Sequence, residues 1–466
     1  MSVSIWWIRR DLRLTDNQAL AKAMERAEMV LPVFILDSHL LHSTRSSQKR
    51  IAFLLQGLRS LDEALRQCGS RLIVRQGDPL AELSSLYRET SAVGIFAQAD
   101  ISPYARWRDE RVKQEILLEL TPGVTVYTPE TVLKPDGLPY TVFTPFSRKW
   151  RSLPVPGKPL PAPERLLPPP SIYGGEIGEQ RQSSMTDHFI ASEAEAQRKL
   201  DSFIGSAIGN YAVTRDRLDI EGTSGLSPYI KFGMISARQA AWLAYDAAVR
   251  AEQAEEKQGA QTWLNELIWR EFFSAILYNF PKVLKAPFQR RSTGKVWLED
   301  EVGFTAWKEG CTGIPVVDAA MRQLKETGWM HNRARMITAS FLVKDLLIDW
   351  RLGEKYFMQH LLDGDPASNN GGWQWIAGTG TDAAPFYRIF NPILQGRKFD
   401  PQGNYVRRWI PELARIPETY IHTPWIMPAV MQSKLNCRIG KDYPAPIVDH
   451  TFARQRARDA YQRNKY

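Results

Sequence analysis

The sequence has 466 residues, a net charge of +9 at pH 7 and a pI near 9.3, which predicts two or three folded domains and a polyanionic partner. Its three cysteines exclude a disulfide framework, and its seven histidines lack metal-ligand spacing, so we expect no metal site. The longest apolar runs, such as 29–36, are too short to cross a bilayer and no signal peptide precedes them, so we expect a soluble, cytoplasmic protein. We also expect a monomer.

Residues 1–127 alternate between short apolar runs and amphipathic segments. The apolar runs predict strands over 3–8, 29–36, 71–74, 93–96 and 124–127. The segments between them predict helices over 19–27, 48–67, 80–87 and 106–120. This alternation indicates an α/β domain over 1–127 with a parallel, Rossmann-like sheet, although no glycine-rich dinucleotide fingerprint follows the first strand.

A proline-rich stretch divides the rest of the chain. Prolines recur every two or three residues over 153–170, which prevents helix formation and favours extended polyproline geometry there. We predict that this stretch belongs to an interdomain connector over 128–200. Beyond it the 3.6-residue period predicts an all-α domain over 201–466, with helices over 236–257, 262–277, 316–326, 333–347 and 353–362.

Tryptophan is concentrated in this helical half, which holds 11 of the 15. A large aromatic core would explain the surplus, and so would a site for a π-rich ligand. Three of them, Trp297, Trp350 and Trp373, form a candidate line of electron carriers. Sequence separation cannot place them near one another, so from the residues alone core packing is the simpler explanation.

One segment mixes residue types that an ordinary helical core would not hold together. Within about two dozen positions it carries Asp363, Gly364, Asp365, Asn369, Asn370, Trp373 and Trp375. Each carboxylate, amide and indole needs a polar partner if buried, so the mixture suits a site for a large, flat, polar, redox-active ligand. A calcium loop is excluded, because Pro366, Ala367 and Ser368 follow where ligands and a glycine are required.

The predicted helix over 262–277 carries a second candidate site. Glu266, Trp269 and Arg270 are three and four residues apart, which places them on one face. They either line a ligand pocket or form an ion pair beside a core tryptophan.

The stretch 222–228 precedes another predicted helix. It supplies hydroxyl groups from Thr223, Ser224 and Ser227 together with backbone N–H groups. Such a stretch is either a phosphate cradle or an ordinary helix cap.

At this point the sequence resembles the photolyase/cryptochrome family. The similar stretches occur in the family's order over 6–17, 223–228, 265–272, 313–318, 329–336, 363–375 and 381–385. Within the family the pattern is most similar to class I members, which repair cyclobutane pyrimidine dimers. The resemblance implies an α/β antenna domain followed by an all-α C-terminal domain that binds FAD.

The resemblance also implies roles for individual residues. FAD would be bound by Tyr211, Thr223, Ser224, Gly225, Leu226, Ser227, Trp263, Arg270, Arg335, Asp363, Gly364, Asp365 and Asn369, with Arg335 paired to Asp363 and Asn369 facing the flavin N5. The dimer would be held by Glu266, Trp269, Asn332, Met336 and Trp375. The flanking DNA would be contacted by Arg215, Arg333 and Gln395, and the flavin would be photoreduced through Trp297, Trp350 and Trp373.

A second, light-harvesting chromophore is also implied. Arg50, Asp100 and Lys231 are similar to the residues of members that bind 8-hydroxy-5-deazaflavin. Methenyltetrahydrofolate and FMN remain alternatives.

The activity implied by the resemblance is light-driven DNA repair. Excited FADH⁻ would pass one electron to a dimer flipped out of UV-damaged DNA, the cyclobutane ring would open, and the electron would return. Glu266, in its protonated form, would hydrogen-bond the dimer.

A cryptochrome-type blue-light receptor is the first alternative. Against it, Asn369 stands where plant cryptochromes carry Asp and insect ones Cys, and the chain ends at Tyr466 without a long tail. The pocket residues Glu266, Trp269 and Met336 also resemble those of dimer-repairing members.

A (6-4) photolyase is the second alternative. It requires a catalytic histidine within 329–336, where this chain has His331 followed by Asn332 and Arg333, closer to the dimer-repair pattern. A general flavin oxidoreductase is the third, and no nicotinamide fingerprint supports it.

Overall fold

The computed structural model describes residues 1–178, 188–289, 297–382 and 388–463, so positions 383–385 of the family-like stretch 381–385 lie outside the described residues. The chain forms two compact units. The first comprises Met1–Ala212, Ser224–Pro281 and Leu362–Ala367, and the second comprises Val213–Thr223, Lys282–Leu361 and Ser368–Tyr466. This division differs from the ranges 1–127, 128–200 and 201–466, which stay a prediction about functional domains.

The first unit contains a sheet of five parallel strands. These are β1 (Val3–Ile8), β2 (Met29–Asp37), β3 (Ile73–Gly77), β4 (Ile95–Gln98) and β5 (Leu118–Thr121), in the order β3-β2-β1-β4-β5. Their crossovers carry α1 (Gln18–Arg26), α2 (Ser38–Leu41), α3 (Gln48–Gln67), α4 (Pro79–Thr90) and α5 (Pro103–Glu115). All six residues of β1 are buried, as expected for the central strand of a covered parallel sheet. The predicted α/β, Rossmann-like architecture is confirmed.

The end of this sheet corrects two predictions. The helix predicted over 106–120 ends at Glu115, and Leu118–Thr121 forms β5, whose register with β4 runs from Ile95↔Leu118 to Gln98↔Thr121. The strand predicted over 124–127 does not form. Instead, the backbone N–H groups of Val126 and Tyr127 donate to the Glu271 carboxylate at 3.0 and 3.3 Å.

The remaining helices of the first unit follow the sheet. They are α6 (Phe143–Arg151), α7 (Glu193–Ser206), α8 (Tyr211–Thr214, which continues into the second unit), α9 (Ser227–Phe232), α10 (Ala237–Arg250) and α11 (Ala254–Asn279), with a 3-10 turn at Ile208–Asn210. The proline-rich residues 154–170 contain neither helix nor strand, as their spacing predicts.

The second unit is helical in its described residues. Its helices are α12 (Glu301–Glu309), α13 (Pro315–Thr327), α14 (Asn332–Ser340), α15 (Trp350–His360), α16 (Pro366–Ala377, which begins in the first unit), α17 (Pro392–Phe399), α18 (Asn404–Trp409), α19 (Glu418–Ile421), α20 (Ala429–Lys434) and α21 (His450–Arg463). Short 3-10 turns occur at Pro281–Leu284, Pro411–Leu413 and Pro424–Ile426. No helix in the described ranges is long and apolar enough to cross a membrane.

The helix predicted over 333–347 changes its hydrogen-bonding pattern partway. After α14 ends at Ser340, residues Phe341–Asp345 form a π-helical turn. Such turns often occur at functional sites. Lys344, in this turn, is buried, and burial lowers its pKa to about 7.

The core of the second unit is rich in aromatic residues. Trp307, Trp350 and Trp373 are buried in one apolar cluster, against which Trp297 and Trp375 pack. The contact between α15 and α16 depends on Gly353, because a Cβ there would lie 2.2 Å from the Trp373 ring. Glycine therefore allows these two helices to approach closely at this point.

Candidate functional site

Helix α11 of the first unit carries four of the predicted site residues. Trp263 is buried, whereas Glu266, Trp269 and Arg270 are partly buried. The last three lie within one turn, as the sequence predicts, so a carboxyl group, an indole and a guanidinium share a helix face.

The indole of Trp269 is held in a defined orientation. It stacks on Phe143 of α6, with ring centroids 3.6 Å apart and planes only 3° apart, and meets Phe272 edge-on at 5.8 Å. A tryptophan supported on one face by a parallel ring is a rigid apolar wall for a planar ligand.

Tyr211 and Trp263, both predicted to bind FAD, both contact Phe203. The ring of Phe203 is 5.7 Å from Tyr211 and 5.1 Å from Trp263. This arrangement requires α11 to approach the 3-10 turn that precedes Tyr211, and Gly259 permits it. A Cβ at Gly259 would lie 2.1 Å from the Gly209 carbonyl oxygen.

The hydroxyl-rich stretch leads into the short helix α9, which begins at Ser227. Its N-cap residue is Leu226, and no side chain caps the helix. Gly225 has φ +62, a conformation that favours glycine. Because no side chain caps α9, the structure does not support the alternative that this stretch is an ordinary helix cap. Gly222 and Thr223 belong to the second unit and the rest of the stretch to the first.

A cluster of partly buried charges surrounds Arg10 in the first unit. Its guanidinium contacts Asp365 Oδ2 at 2.9 Å and Asp100 Oδ1 at 3.6 Å, and Lys231 Nζ lies 3.6 Å from the same Asp365 oxygen. The positive charge of Arg50 is close enough to Lys231 to contribute to lowering its pKa. The structure therefore brings the three predicted antenna residues together with Asp365, which was assigned to FAD.

The electrostatics of this cluster follow from burial and mutual contacts. Burial and the neighbouring charge of Arg10 lower the pKa of Lys231 to about 8, and burial lowers that of Arg50 to about 10. Burial alone would raise the pKa of Asp100, but the charges of Arg10, Lys231 and Arg9 and a hydrogen bond from the Ser102 backbone together lower it. The cluster is thus held together by ion pairing and remains charged at neutral pH.

The position of the cluster in the sheet is informative. Arg10 follows β1 and Asp100 follows β4, and these adjacent strands flank the point where the strand order reverses. Open α/β sheets bind ligands beyond the carboxyl ends of strands at such a point.

Arg270 is another partly buried cation of the first unit. Among the described residues its ion-pair contact is with Glu271, at a long 3.5 Å. The Glu271 carboxylate already accepts hydrogen bonds from Val126 and Tyr127, and burial raises its pKa to about 7. Arg270 therefore retains capacity for an anionic ligand such as a pyrophosphate.

In the second unit, the predicted flavin-facing residue Asn369 has a buried partner. Its side-chain Nδ2 donates to Glu354 Oε1 and to the Glu354 carbonyl oxygen, both at 3.0 Å. Glu354 lies on α15 and is 1% exposed, while Asn369 lies on α16.

Trp373, the first predicted electron carrier, is surrounded by aromatic rings. Phe357 and Trp307 meet it edge-on at 5.0 and 6.1 Å. At the other end of the predicted line, Trp297 meets Tyr461 edge-on at 6.4 Å. The three predicted carriers thus share one aromatic core.

The predicted DNA-contacting residues all fall in the second unit. Arg333 pairs with Asp216 at 2.7 Å, and Arg215 lies 3.9 Å from the same carboxylate. Gln395 on α17 lines a cavity of about 290 Å³ together with Arg454. The structure thus gathers Arg215 and Arg333 around one acid.

Three further predicted residues lie on α14, which begins at Asn332. Arg335 Nε donates to the Met330 carbonyl oxygen at 2.8 Å, and Met336 packs against the aromatic core. Asp363 and Gly364 are buried in the first unit, so the pairing of Arg335 with Asp363 joins residues of different units and stays a prediction.

The hydrogen bond and burial of His331 argue against the (6-4) photolyase alternative. Its Nδ1 accepts a hydrogen bond from the Arg333 backbone N–H at 3.1 Å and so caps α14. Burial lowers the pKa of His331 to about 4, so the ring is neutral at physiological pH. A neutral histidine engaged as a helix cap is poorly suited to donate a proton to a substrate.

Two residues of these arrangements were missed from the sequence, Arg10 and Glu354. Arg10 lies in the family-like stretch 6–17, and its position directly after the first strand was an available signal. Glu354 is a single acid in an otherwise ordinary amphipathic helix, and no local pattern distinguishes it.

Comparison with known proteins gives consistent matches. Residues 4–164 match the family model described as DNA photolyase, and residues 263–463 match the FAD binding domain of DNA photolyase. A deoxyribodipyrimidine photo-lyase of Synechococcus is 39% identical to this chain, and the match covers 99% of this chain and 96% of the Synechococcus protein.

Solved structures agree with these matches. A bacterial class III photolyase from Agrobacterium tumefaciens matches with a TM-score of 0.93 and 37% identity, and the match covers 100% of this chain and 98% of the Agrobacterium chain. A cryptochrome from Synechocystis has a TM-score of 0.88 and 29% identity over 99% of both chains. With two family models spanning most of its length and a full-length relative at 39% identity, this chain belongs to the photolyase/cryptochrome family.

Proposed function

We propose that this protein binds FAD and uses light to split cyclobutane pyrimidine dimers in UV-damaged DNA. The observation that carries the proposal is the face of α11, where Glu266, Trp269 and Arg270 lie side by side within the segment that matches a photolyase FAD-binding domain. The class I assignment stays a prediction, because one of the similar structures is a class III photolyase.

The side chains of the first unit fit FAD chemically. Tyr211 and Trp263 supply aromatic surface, and the partly buried guanidinium of Arg270 suits a pyrophosphate. Ser224 and Ser227 supply hydroxyl groups at the start of α9. Bound FAD, in its reduced form FADH⁻, would supply the excited electron for repair.

The residues predicted to line the dimer pocket would receive and stabilise the lesion. A dimer stacked in a duplex cannot reach a buried site, and base-flipping enzymes, photolyases among them, extrude the target at a cost of a few kcal/mol. Trp269, supported by Phe143, would provide a flat wall for the extruded bases. Glu266 on the same face would donate a hydrogen bond where negative charge develops on a dimer carbonyl.

DNA binding would depend on the basic residues of the second unit. The guanidinium groups of Arg333 and Arg215 lie 2.7 and 3.9 Å from the Asp216 carboxylate, so two side chains that suit phosphate contacts are held close together. The net charge of +9 supports attraction to a polyanion.

For the second chromophore we propose the cluster of Arg50, Asp100 and Lys231. Its position where the strand order reverses supports a ligand there, and its buried cations favour one with anionic character, as in 8-hydroxy-5-deazaflavin. Methenyltetrahydrofolate and FMN are the alternatives, and the absorption spectrum of the purified protein distinguishes the three.

One experiment tests the repair function directly. The purified protein is reduced, mixed with an oligonucleotide containing one thymine dimer, and either illuminated with blue light or kept dark. We expect bound flavin in the absorption spectrum and recovery of intact thymines only in the light. A protein that binds no flavin, or that leaves the dimer intact under illumination, would refute the proposal.

A blue-light receptor is the second candidate, favoured by the likeness to a cryptochrome at a TM-score of 0.88. The same assay separates the two, because a receptor without repair activity would bind flavin yet leave the dimer unchanged. An oligonucleotide containing a (6-4) photoproduct tests the other alternative, and we expect no repair of it because His331 caps α14.

The proposed role of Glu266 predicts a graded response to substitution. Glu266→Gln retains an N–H donor and should keep much of the repair yield, whereas Glu266→Ala removes the donor and should lose several-fold more. Dimers split per absorbed photon, measured with pre-reduced protein of equal flavin content, provide the comparison. Equal yields for the two variants would exclude a hydrogen-bonding role.

A further inference from the structure

A cavity of about 290 Å³ in the second unit shares no residue with the sets assigned to FAD and to the dimer. Helices α17 and α21 line it, together with the residues just before α17. Its polar lining consists of Asn391, Gln395, His450 and Arg454, and its remaining lining residues are apolar. None of these lining residues is acidic, so the cavity suits a ligand that carries negative charge.

The charge of Arg454 is available to such a ligand. Within the described residues its guanidinium takes part in no hydrogen bond or ion pair, and the side chain is exposed. A guanidinium presents its N–H donors in a planar fork that matches the oxygens of a phosphate. Arg458 is one helical turn further along α21 and lines an adjoining cavity together with Arg454. The one acid in that second lining, Asp449, already accepts a hydrogen bond from the Phe452 backbone N–H at 2.8 Å.

The start of α21 is anchored to the π-helical turn of the second unit. His450 Nδ1 lies 2.5 Å from Oδ1 of Asp345, a fully buried residue of that turn. The Arg456 guanidinium donates to the Asp345 carbonyl oxygen, also at 2.5 Å. Because His450 and Arg454 are four residues apart, they lie on one face of α21. The turn of helix that carries Arg454 is therefore held in place by two contacts to Asp345.

Gln395 contributes a second polar group to the cavity, from α17. Its side-chain Oε1 is buried and has no hydrogen-bond partner among the described residues. A buried polar atom in this state calls for a ligand, an ion or a water. The same amide can donate to a phosphate oxygen through its NH₂ group. The resemblance assigns Gln395 to DNA, and the cavity brings Arg454 together with it.

We infer that this cavity binds a backbone phosphate of the DNA through Arg454 and Gln395, and that Arg458 continues the contact to the next phosphate. The inference rests on the proposed function and deepens it, because it extends the DNA-binding surface to the C-terminal helix. Phosphate contacts fix where a duplex lies but carry no sequence information. Arg454 therefore holds the strand in place, while recognition of the dimer stays with the residues of the dimer pocket.

The test measures binding of a dimer-containing duplex in the dark, where no repair occurs, over a range of salt concentrations. In Arg454→Gln the phosphate loses a charged partner, so we expect about tenfold weaker binding, the effect of losing one hydrogen bond to a charged group. The slope of log affinity against log salt should fall by about 1. Arg454→Lys keeps the charge and should keep the slope. Arg88→Gln, at an exposed arginine of α4, is the matched control and should change neither quantity.

Neutral phosphate analogues locate the contact. In a series of duplexes, one phosphate at a time is replaced by an uncharged methylphosphonate. The unchanged protein should bind one of these duplexes about tenfold more weakly, whereas Arg454→Gln should show no further loss at that position. Undamaged duplex should lose the same factor as damaged duplex, because a phosphate contact does not recognise the lesion. At saturating DNA the loss should not appear in the dimers split per absorbed photon, which separates binding from chemistry.

The inference is overturned if Arg454→Gln binds DNA with the affinity and salt slope of Arg88→Gln, or if no single neutral phosphate abolishes the difference between Arg454→Gln and the unchanged protein. Loss of inorganic phosphate binding without loss of DNA affinity would also overturn it, because the cavity would then serve a free anion. Flavin content and light-dependent repair by the unchanged protein are measured in parallel. Failure there refutes the proposed function itself, whereas unaltered DNA binding by Arg454→Gln beside a flavin-binding, repairing protein refutes only the role of this cavity.

Discussion

Replacing Trp373 with phenylalanine should block the light-driven reduction of oxidised flavin while sparing repair by chemically reduced protein. Trp373 is buried in the aromatic core of the second unit, and its indole is much more easily oxidised than a phenyl ring. A barrier increase of about 2.7 kcal/mol already slows a step about 100-fold, and we expect at least that loss. Flavin absorbance under blue light with an external reductant follows photoreduction.

The control for this variant is Trp409→Phe, a buried tryptophan of the same core that is not a predicted electron carrier. It should photoreduce at the normal rate, so any loss from changed packing alone would appear in it. Repair is measured after reduction with dithionite. Loss of repair by reduced Trp373→Phe, or undiminished photoreduction, would contradict the relay role.

Replacing Asp365 with alanine should destabilise the protein strongly and reduce flavin binding. The change removes the carboxylate that lies 2.9 Å from Arg10 and 3.6 Å from Lys231. Breaking a buried ion pair from one side typically costs about 3–5 kcal/mol, because the opposite charges stay buried without compensation. Asp100 still neutralises part of the Arg10 charge, so we expect the lower end, about 3 kcal/mol.

Denaturant unfolding in the absence and presence of added FAD measures both effects. Glu25→Ala is the comparison, because it breaks the exposed contact between Glu25 and Lys22 at 3.0 Å, and such surface pairs contribute little. If Asp365→Ala unfolds at the same denaturant concentration as Glu25→Ala, the Arg10 cluster does not stabilise the protein as described.

The fold could be predicted from the sequence where the signal is local. β1 and α3 have the predicted bounds, because a short apolar run and a 20-residue amphipathic pattern each depend only on neighbouring residues. β5 was missed because Leu118–Thr121 continues the apolar spacing of the preceding helix. It forms a strand because β4 offers hydrogen bonds from residues more than 20 positions away, and local periodicity does not report such pairing.

The candidate site, like the fold, could be predicted from the sequence only where the signal is local. The face of α11 follows directly from helical spacing, whereas the link from Arg10 to Asp365 joins residues 355 positions apart. The contact of Glu354 with Asn369 depends on how α15 packs on α16, and a single buried acid carries no sequence pattern of its own. Family resemblance supplied the expected roles of single residues but not these supporting partners.

The glycine at position 353 has a consequence for how this protein can vary. Any side chain there would force α15 away from the Trp373 ring, and the same displacement would carry the Glu354 carboxyl group away from Asn369. We therefore expect a substitution at this one position to disturb both the predicted electron carrier Trp373 and the Glu354–Asn369 contact. Variants that alter just one of them should arise at those side chains themselves.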